Sequence, residues 1–596
     1  MTNLDLGLIL TLAFVMYVYF YIIGGTILGL LKWDFSHYFA PLLGYAFFSY
    51  LCFGLLYLTT DFWCVLSFFL LLPIGCIFLS KKKKVVFPDP PYFALFLSLI
   101  ISAYALYILY PKFSAEGISW IRPVFDHRKM VFISSIAHSG VPVVNPFCAF
   151  PDKSYYYFLF YVPLSVFKII FQASAYEIEL AGEVLTCILC FPFIVGCVCL
   201  LKKKECSWLG VIVCFLFALM NKRIESIFAF KGYFGMDPIL NTVLWTPNTF
   251  LSASFLIFSL YWIHIKKFEH MYIPALLIAV SLGLSSYIFV VAFGGLALFY
   301  LYEFLLSFEK KKIFIKISAF AGCVFLLSLP FLLVQSGANK IGGFPVAFAL
   351  YDWAKIDSVS QKFIGFWTIF LCAQMPLILL INFKFLKVAT FKKYTVFYSA
   401  IIASLLISCC LQTTIYQNDL GWRSCFVAIE LLTIFAIYYT GTIKNRFLKI
   451  LVVLASLYFI SFPFIDDERK YDIPLTEETI SAIQSHVKKD EYYLNHIYRE
   501  KFPGNLAFSF FSERKSCYQS YQSVRAYGSH DFLDFKFTIK RIFNGSVSME
   551  DIKQAHDLKC SKFIFFQTDK NFKEEEKLMA LGLKKIYENS QIKIWE

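Results

Sequence analysis

At 596 residues, 59% hydrophobic and 20% aromatic, with a mean hydropathy of +0.64, the chain lies well outside the soluble globular range. Its formal net charge of +14 belongs to the part before residue 466; beyond that point acidic and basic side chains balance. The basic excess sits in short flanks of apolar runs, at 81–84, 202–204 and 310–312, where it marks a cytoplasmic membrane face and excludes nucleic acid as a partner.

Taken in order, the apolar runs predict a polytopic α-helical membrane protein of about fourteen transmembrane helices. The first run, 5–31, is too long for a cleavable signal peptide and lacks a basic lead. Runs 39–60, 62–80 and 91–110 follow, and the lysines at 81–84 put the stretch 111–176 on the outer face. To keep the lysines at 202–204 inside, 155–171 is read as an aromatic helix lying in the outer interface, anchored by Lys168, and 178–201 as the inward span.

Spans at 207–221 and 243–263 flank a second outer loop. The uncharged run 271–302 would be about 48 Å long as one helix, so a hairpin broken near Gly283, Ser285 and Ser286 is expected. Further spans are expected at 315–334, 363–383, 394–415, 422–442 and 447–465, which leaves both ends outside.

Residues 466–596 read as a separate extracytoplasmic α/β domain. Helical patterns occur at 476–489, 531–543, 548–558 and 573–581, and strand patterns at 492–497, 562–567, 585–588 and 591–595. No P-loop, dinucleotide fingerprint, zinc spacing or nucleophile elbow occurs here, and a structural or substrate-guiding cap is the simplest role. Of the 17 cysteines only Cys517 and Cys560 fall in this polar part; an oxidising compartment would let them pair.

Three clusters carry the candidate chemistry. In the first outer loop Glu116, Arg122, Asp126, His127, Arg128 and Lys129 precede an amphipathic pattern from Arg128 to His138. Asp126 is placed to cap that helix, but beside so many cations it is also placed to stay ionised and act as a base or ligand. The second loop supplies Lys222, Arg223, Glu225 and Asp237, the last within a GMDP turn. The third cluster is Asp419 and Arg423 at a span mouth, with Glu430 two helical turns further in. Ionisable groups inside a span are functional candidates, with an inter-helix ion pair as the structural alternative.

The succession of an outgoing span, FDHRKMVFISSIAHSG, the G-x-P-x-x-N-P turn at 140–146 and the run YYYFLFY resembles the first outer loop of the GT-C membrane glycosyltransferases. NTVLWTPNTF (241–250), NDLGWRS (418–424) and the outer C-terminal domain extend the resemblance over most of 91–596. It implies an extra N-terminal helical region at 1–90, a catalytic membrane module at 91–465 with outer loop 111–176, and the soluble domain at 466–596.

The resemblance further implies transfer of a sugar from a polyprenyl-phosphate donor to a lipid, glycan or protein acceptor at the outer face, with inversion. Asp126 would be the catalytic carboxylate, with Glu116 as the second candidate, because the loop before the acid is long, and His127 as an auxiliary base. Arg423, Arg122, Lys222 and Arg223 would hold the donor phosphate. Asp126 and Asp237 would organise a divalent cation, Mg or Mn, if one takes part. Asp237, Asp419 and Glu430 remain further site candidates. The setting expected is a multi-pass protein of a bacterial inner membrane, with the loop and the C-terminal domain in the periplasm. The alternatives are a transporter or flippase, and a glycan polymerase or ligase.

Overall fold

The computed structural model describes residues 5–85, 87, 89–114, 117–119, 130–150, 158–220, 239–266, 269–335, 346–348, 375–385, 388–413, 419–460, 475–496, 506–519, 532 and 534–596. Among these, eight helices are long and apolar enough to cross a membrane, and the chain is a polytopic α-helical membrane protein.

The bundle opens with α1 (Leu6–Leu30), α2 (Ser36–Leu58), α3 (Phe62–Lys83) and α4 (Tyr92–Leu109), followed by a short ribbon of β1 (Lys112–Ser114) and β2 (Gly117–Ser119). Helices α1 and α2 cross backbone to backbone. A Cβ on Gly24 would lie 1.8 Å from the Ala40 carbonyl oxygen, and one on Gly44 would lie 1.9 Å from that of Phe20. Close packing of this kind drives helix association where lipid removes the hydrophobic difference.

Next come α5 (Val131–Ser139), α6 (Tyr161–Phe171) and α7 (Ala175–Lys202). The amphipathic helix α5 is described over Val131–Ser139 with Met130 at its N-cap, and the expected cap Asp126 and helix start Arg128 lie outside the described residues. The helix expected at 155–171 is described from Tyr161, and one face of it meets protein. Residues Tyr161 to Phe167 of α6 are buried, because α2, α3, α5 and α7 pack against it. Phe167 alone meets the rings of Tyr19, Phe20, Phe48 and Phe69. The aromatic residues of α6 therefore belong to the core.

Helix α7 is the hub. It starts with a capping box between Ser174 and Glu177 and is buried along nearly its whole length, as an all-round apolar helix must be when neighbours surround it.

The bundle continues through α8 (Trp208–Ala218), α9 (Ile239–Trp245), α10 (Pro247–Lys266), α11 (Tyr272–Leu284), α12 (Ser286–Leu306) and α13 (Lys310–Gln335). The expected hairpin break falls at Ser285, whose extended backbone separates α11 from α12. After β3 (Val346–Phe348) come α14 (Pro376–Phe385), α15 (Val388–Lys393), α16 (Thr395–Cys410) and β4 (Leu411–Thr413), which pairs with β3. Helices α17 (Asp419–Ser424), α18 (Phe426–Thr442) and α19 (Arg446–Tyr458) complete the bundle. Five of the fourteen expected spans are thus shorter helices (α8, α11, α16, α18 and α19), and most of the one expected at 363–383 lies outside the described residues.

The C-terminal domain comprises α20 (Glu477–His486), β5 (Tyr492–Asn495), α21 (Leu506–Ser512), β6 (Lys515–Ser516), α22 (Phe535–Phe543), α23 (Met549–Asp557), β7 (Cys560–Phe566), α24 (Glu575–Ala580), β8 (Lys585–Glu588) and β9 (Ile592–Trp595). Its five-stranded sheet has the order β6-β5-β7-β9-β8. The β5 pairings are parallel, and the closing β8–β9 hairpin is antiparallel. Cys517 and Cys560 form a disulfide, with Cα atoms 5.6 Å apart, joining the segment after β6 to the start of β7.

The Gly/Pro-rich turn at 140–146 binds this domain to the bundle. Ser516 donates its N–H to the Pro146 carbonyl at 3.1 Å and Ala149 donates to that of Cys517 at 3.1 Å. The Tyr492 hydroxyl donates to the Asn145 carbonyl at 2.9 Å. Gly140, at φ 72°, lies so close to α2 that a Cβ would meet the Leu56 carbonyl oxygen at 2.4 Å. Only glycine tolerates both conditions.

Candidate functional site

The direction of the helices locates the site. Helix α7 begins beside the C-terminal domain, where the Ala175 N–H donates to Glu513 at 2.6 Å, and it ends at Lys202. Helix α3 likewise starts near α5 and ends in Lys81, Lys82 and Lys83. The lysine clusters therefore lie on the face opposite the domain. At the lysine end Lys202 lies against Gly441 of α18, so the start of α18 faces the domain. Arg423, just before that start, occupies the domain-side mouth of the bundle.

Arg423 is buried and donates from Nη1 to the Thr249 hydroxyl on α10 at 3.0 Å. Seven residues on, the fully buried Glu430 accepts a hydrogen bond from the Ser254 hydroxyl at 3.2 Å. Both side chains thus face α10, as their two-turn spacing requires, and no described residue forms an ion pair with Glu430. The Thr249 and Ser254 hydroxyls orient the two side chains against α10. Thr249 belongs to the TPNTF segment and Arg423 to NDLGWRS, so two patterns far apart in the chain meet here.

Of the other candidates, Glu116, Arg122, Asp126, His127, Lys222, Arg223 and Asp237 lie outside the described residues. Asp419 is the first residue of α17. Among the described residues no group of three His, Cys, Asp or Glu side chains is arranged to hold a metal ion.

Two carboxylates escaped the sequence reading. Glu179 and Glu183 lie one turn apart on the domain-side end of α7, each 1% exposed. Their spacing inside an apolar span was the available signal.

A second polar feature lies at the seam between bundle and domain. Lys168 of α6 pairs with Glu513 at 2.8 Å and donates to the Ala173 carbonyl at 3.0 Å. Burial pushes the Glu513 carboxyl up, but Lys168 and the Ala175 N–H outweigh it and hold it below the ordinary glutamate value. Glu513 holds this position with φ 54°, a left-handed conformation uncommon for a residue with a side chain. Beside the pair, the His138 imidazole is depressed by partial burial and by Lys489, Lys515 and Arg514, with Asp490 opposing.

No protein-family model matches the chain, and no curated protein does. Among solved structures, the chain is similar to the crystal structure of ArnT from Cupriavidus metallidurans in the apo state, with a TM-score of 0.46 and 10% identity. The alignment covers 85% of this chain and 97% of that one. A TM-score below 0.5 at this identity settles neither fold family nor activity.

Proposed function

We propose that this chain is a membrane glycosyltransferase of the GT-C type, moving a sugar from a polyprenyl-phosphate donor to a lipid, glycan or protein acceptor. The observation that supports this reading is the meeting of Arg423 with Thr249 at the domain-side mouth of the bundle. An arginine there is suited to a phosphate, whose oxygens match the guanidinium fork. In this reading the reaction belongs to the face that carries the C-terminal domain, opposite the lysine clusters, taken as the periplasmic face of a bacterial inner membrane; the positive-inside bias of the lysines supports a non-cytoplasmic face.

In this reading Asp126 removes the proton of the acceptor hydroxyl as its oxygen attacks the anomeric carbon. The bond from that carbon to the phosphate oxygen breaks, and direct displacement inverts the configuration. Arg423, with Arg122, Lys222 and Arg223, takes up the charge of the departing polyprenyl phosphate. Glu116 is the reserve carboxylate and His127 an auxiliary base. Asp126 and Asp237 are the residues that would hold a divalent cation; no step depends on it.

Buried Glu179, Glu183 and Glu430 are what a transporter would use, since carboxylates within spans mark ion and substrate paths. One experiment separates the readings. Membranes containing equal amounts of wild type or Asp126→Asn are supplied with a radiolabelled polyprenyl-phosphate sugar pool. Transfer to an acceptor is expected to fall by roughly 10²–10⁴-fold, the usual weight of a general base. Unchanged transfer rejects Asp126 as the base, and movement of label across the membrane without transfer favours the transporter.

A further inference from the structure

Away from both sites, on the face that carries the lysine clusters, three cysteines from successive elements converge. Cys199 lies in the last turn of α7, Cys206 in the connection to α8, and Cys214 in α8. The Cys206 thiol shares hydrogen bonds with those of Cys199 and Cys214. All three are free thiols.

The connection is held from outside the trio. Glu205 accepts from the Tyr38 hydroxyl at 3.1 Å and lies 3.3 Å from His37 Nε2, both on α2. Lys202 Nζ lies 3.9 Å from the Cys206 sulfur and borders Gly441 of α18. Ser207 caps α8, its hydroxyl accepting the Gly210 N–H at 3.3 Å. A segment fixed to α2 and to the start of α8 keeps the sulfurs together.

The three thiols are not equivalent. Cys199 and Cys214 are fully buried, whereas Cys206 is partly exposed, so a reagent arriving from water meets Cys206. Hydrogen bonds from Cys199 and Cys214, with Lys202 beside them, hold the Cys206 thiol far below the ordinary thiol range against the effect of its partial burial. The thiolate is the nucleophilic form. Cys199 Sγ in turn lies 3.8 Å from Glu205 Oε2, a carboxylate able to take its proton.

We propose that Cys206 is an oxidation site for hydroperoxides and that Cys199 closes on it as a disulfide. The Cys206 thiolate attacks one oxygen of hydrogen peroxide. An S–O bond forms, the O–O bond breaks and hydroxide leaves, so the sulfur gives up the two electrons that the peroxide gains. The Cys199 sulfur then attacks the sulfenic sulfur. The S–S bond forms, the S–O bond breaks, and the departing hydroxide takes the Cys199 proton, passed through Glu205, to leave as water. A dithiol reductant returns both thiols. The proposal is independent of the sugar-transfer reading, because none of these residues is assigned to donor or acceptor.

The test uses the full wild-type chain in an uncharged maltoside detergent, with exposed Cys64 at the opposite end of the bundle as internal standard. At about pH 6.5 an ordinary thiol is roughly 1% thiolate, and a low-pKa thiolate gives back part of that advantage in nucleophilicity. Iodoacetamide is therefore expected to alkylate Cys206 at least about ten-fold faster than Cys64. After hydrogen peroxide, peptide mapping without reductant should show Cys206 joined to Cys199, and dithiothreitol should reverse the link. Dimedone present during the oxidation should intercept the sulfenic acid and label Cys206.

Alkylation of Cys206 no faster than that of Cys64 overturns the proposal, as does peroxide treatment that leaves Cys206 a free thiol. A link from Cys206 to Cys214 overturns Cys199 as the partner.

Discussion

Two charged sites on the domain side of this molecule are built in opposite ways. At the seam, Lys168 and Glu513 meet directly, and a backbone N–H and a backbone carbonyl complete their bonding. In the bundle interior, Arg423 and Glu430 are each held by a hydroxyl of α10. The seam pair cancels its own charge and joins segments 345 residues apart. The interior groups each take a hydroxyl partner from a neighbouring helix, in surroundings where an ionic group costs several kcal/mol to insert. Direct pairing ties the domain to the bundle, whereas the hydroxyl contacts tie one helix of the bundle to another.

The largest effect expected from breaking this contrast lies in the interior. Arg423→Met should lower transfer from a polyprenyl-linked donor by roughly 10²–10³-fold, the weight of one charge-stabilising donor. Arg423→Lys should fall between, because an ammonium lacks the bidentate fork. Full transfer by the methionine variant at equal protein level would make Arg423 a packing residue and remove the contrast.

At the seam the expected change is in stability. Glu513→Ala leaves Lys168 largely buried without its partner and should cost about 2 kcal/mol, less than a fully buried pair because both side chains keep some exposure. The readouts are the midpoint of thermal unfolding and the rate of proteolytic release of the C-terminal domain. Lys168→Met/Glu513→Met should recover most of the loss. A double variant no better than Glu513→Ala would show that the pair does more than attach the domain.

The same pair sharpens the comparison through pH. The folded-state value of Glu513 is depressed, so its contribution is complete above the ordinary glutamate value of about 4.3 and is lost as pH falls through the folded value. Release of the domain by an acid-stable protease should therefore rise below about pH 4 in wild type. In Lys168→Met/Glu513→Met that rise should be reduced.

The smallest effect is expected for Glu430→Gln. The amide keeps the hydrogen bond from Ser254 and nearly the shape of the carboxyl it replaces, so the unfolding midpoint should shift by no more than about 1 kcal/mol in equivalent stability. A large loss would mean that the carboxylate itself is needed for folding.

Much of the bundle was legible in the sequence because helices in lipid are specified by local apolar length, and lysine flanks by proximity to a span end. The break at Ser285 and the closing hairpin at 585–595 were both readable from local sequence. The role of α6 was not legible. Its composition is that of an interfacial helix, and only the packing of α2, α3, α5 and α7 around it shows that the aromatic face meets protein. Lys168 was visible as a charge, yet its partner lies in another part of the chain and no periodicity points to it. Glu179 and Glu183 stand one turn apart at the start of an apolar run, where the sequence shows the charges but not that neighbouring helices bury them. For Arg423 the spacing to Glu430 gave the shared face, but not the helix that the face meets.

The sequence by itself determined that this is a membrane protein with a polar C-terminal α/β part, which face its lysines flank, and which ionisable residues stand near span ends. These follow from composition and short-range periodicity, because transfer into lipid acts on each segment almost independently. The tertiary structure decided the pairings: Gly24 against α2, the 140–149 segment against the edge of the C-terminal sheet, Lys168 with Glu513, and Arg423 with Thr249. Such choices depend on which surfaces the whole fold brings within hydrogen-bond distance, and that is not a property of any one segment.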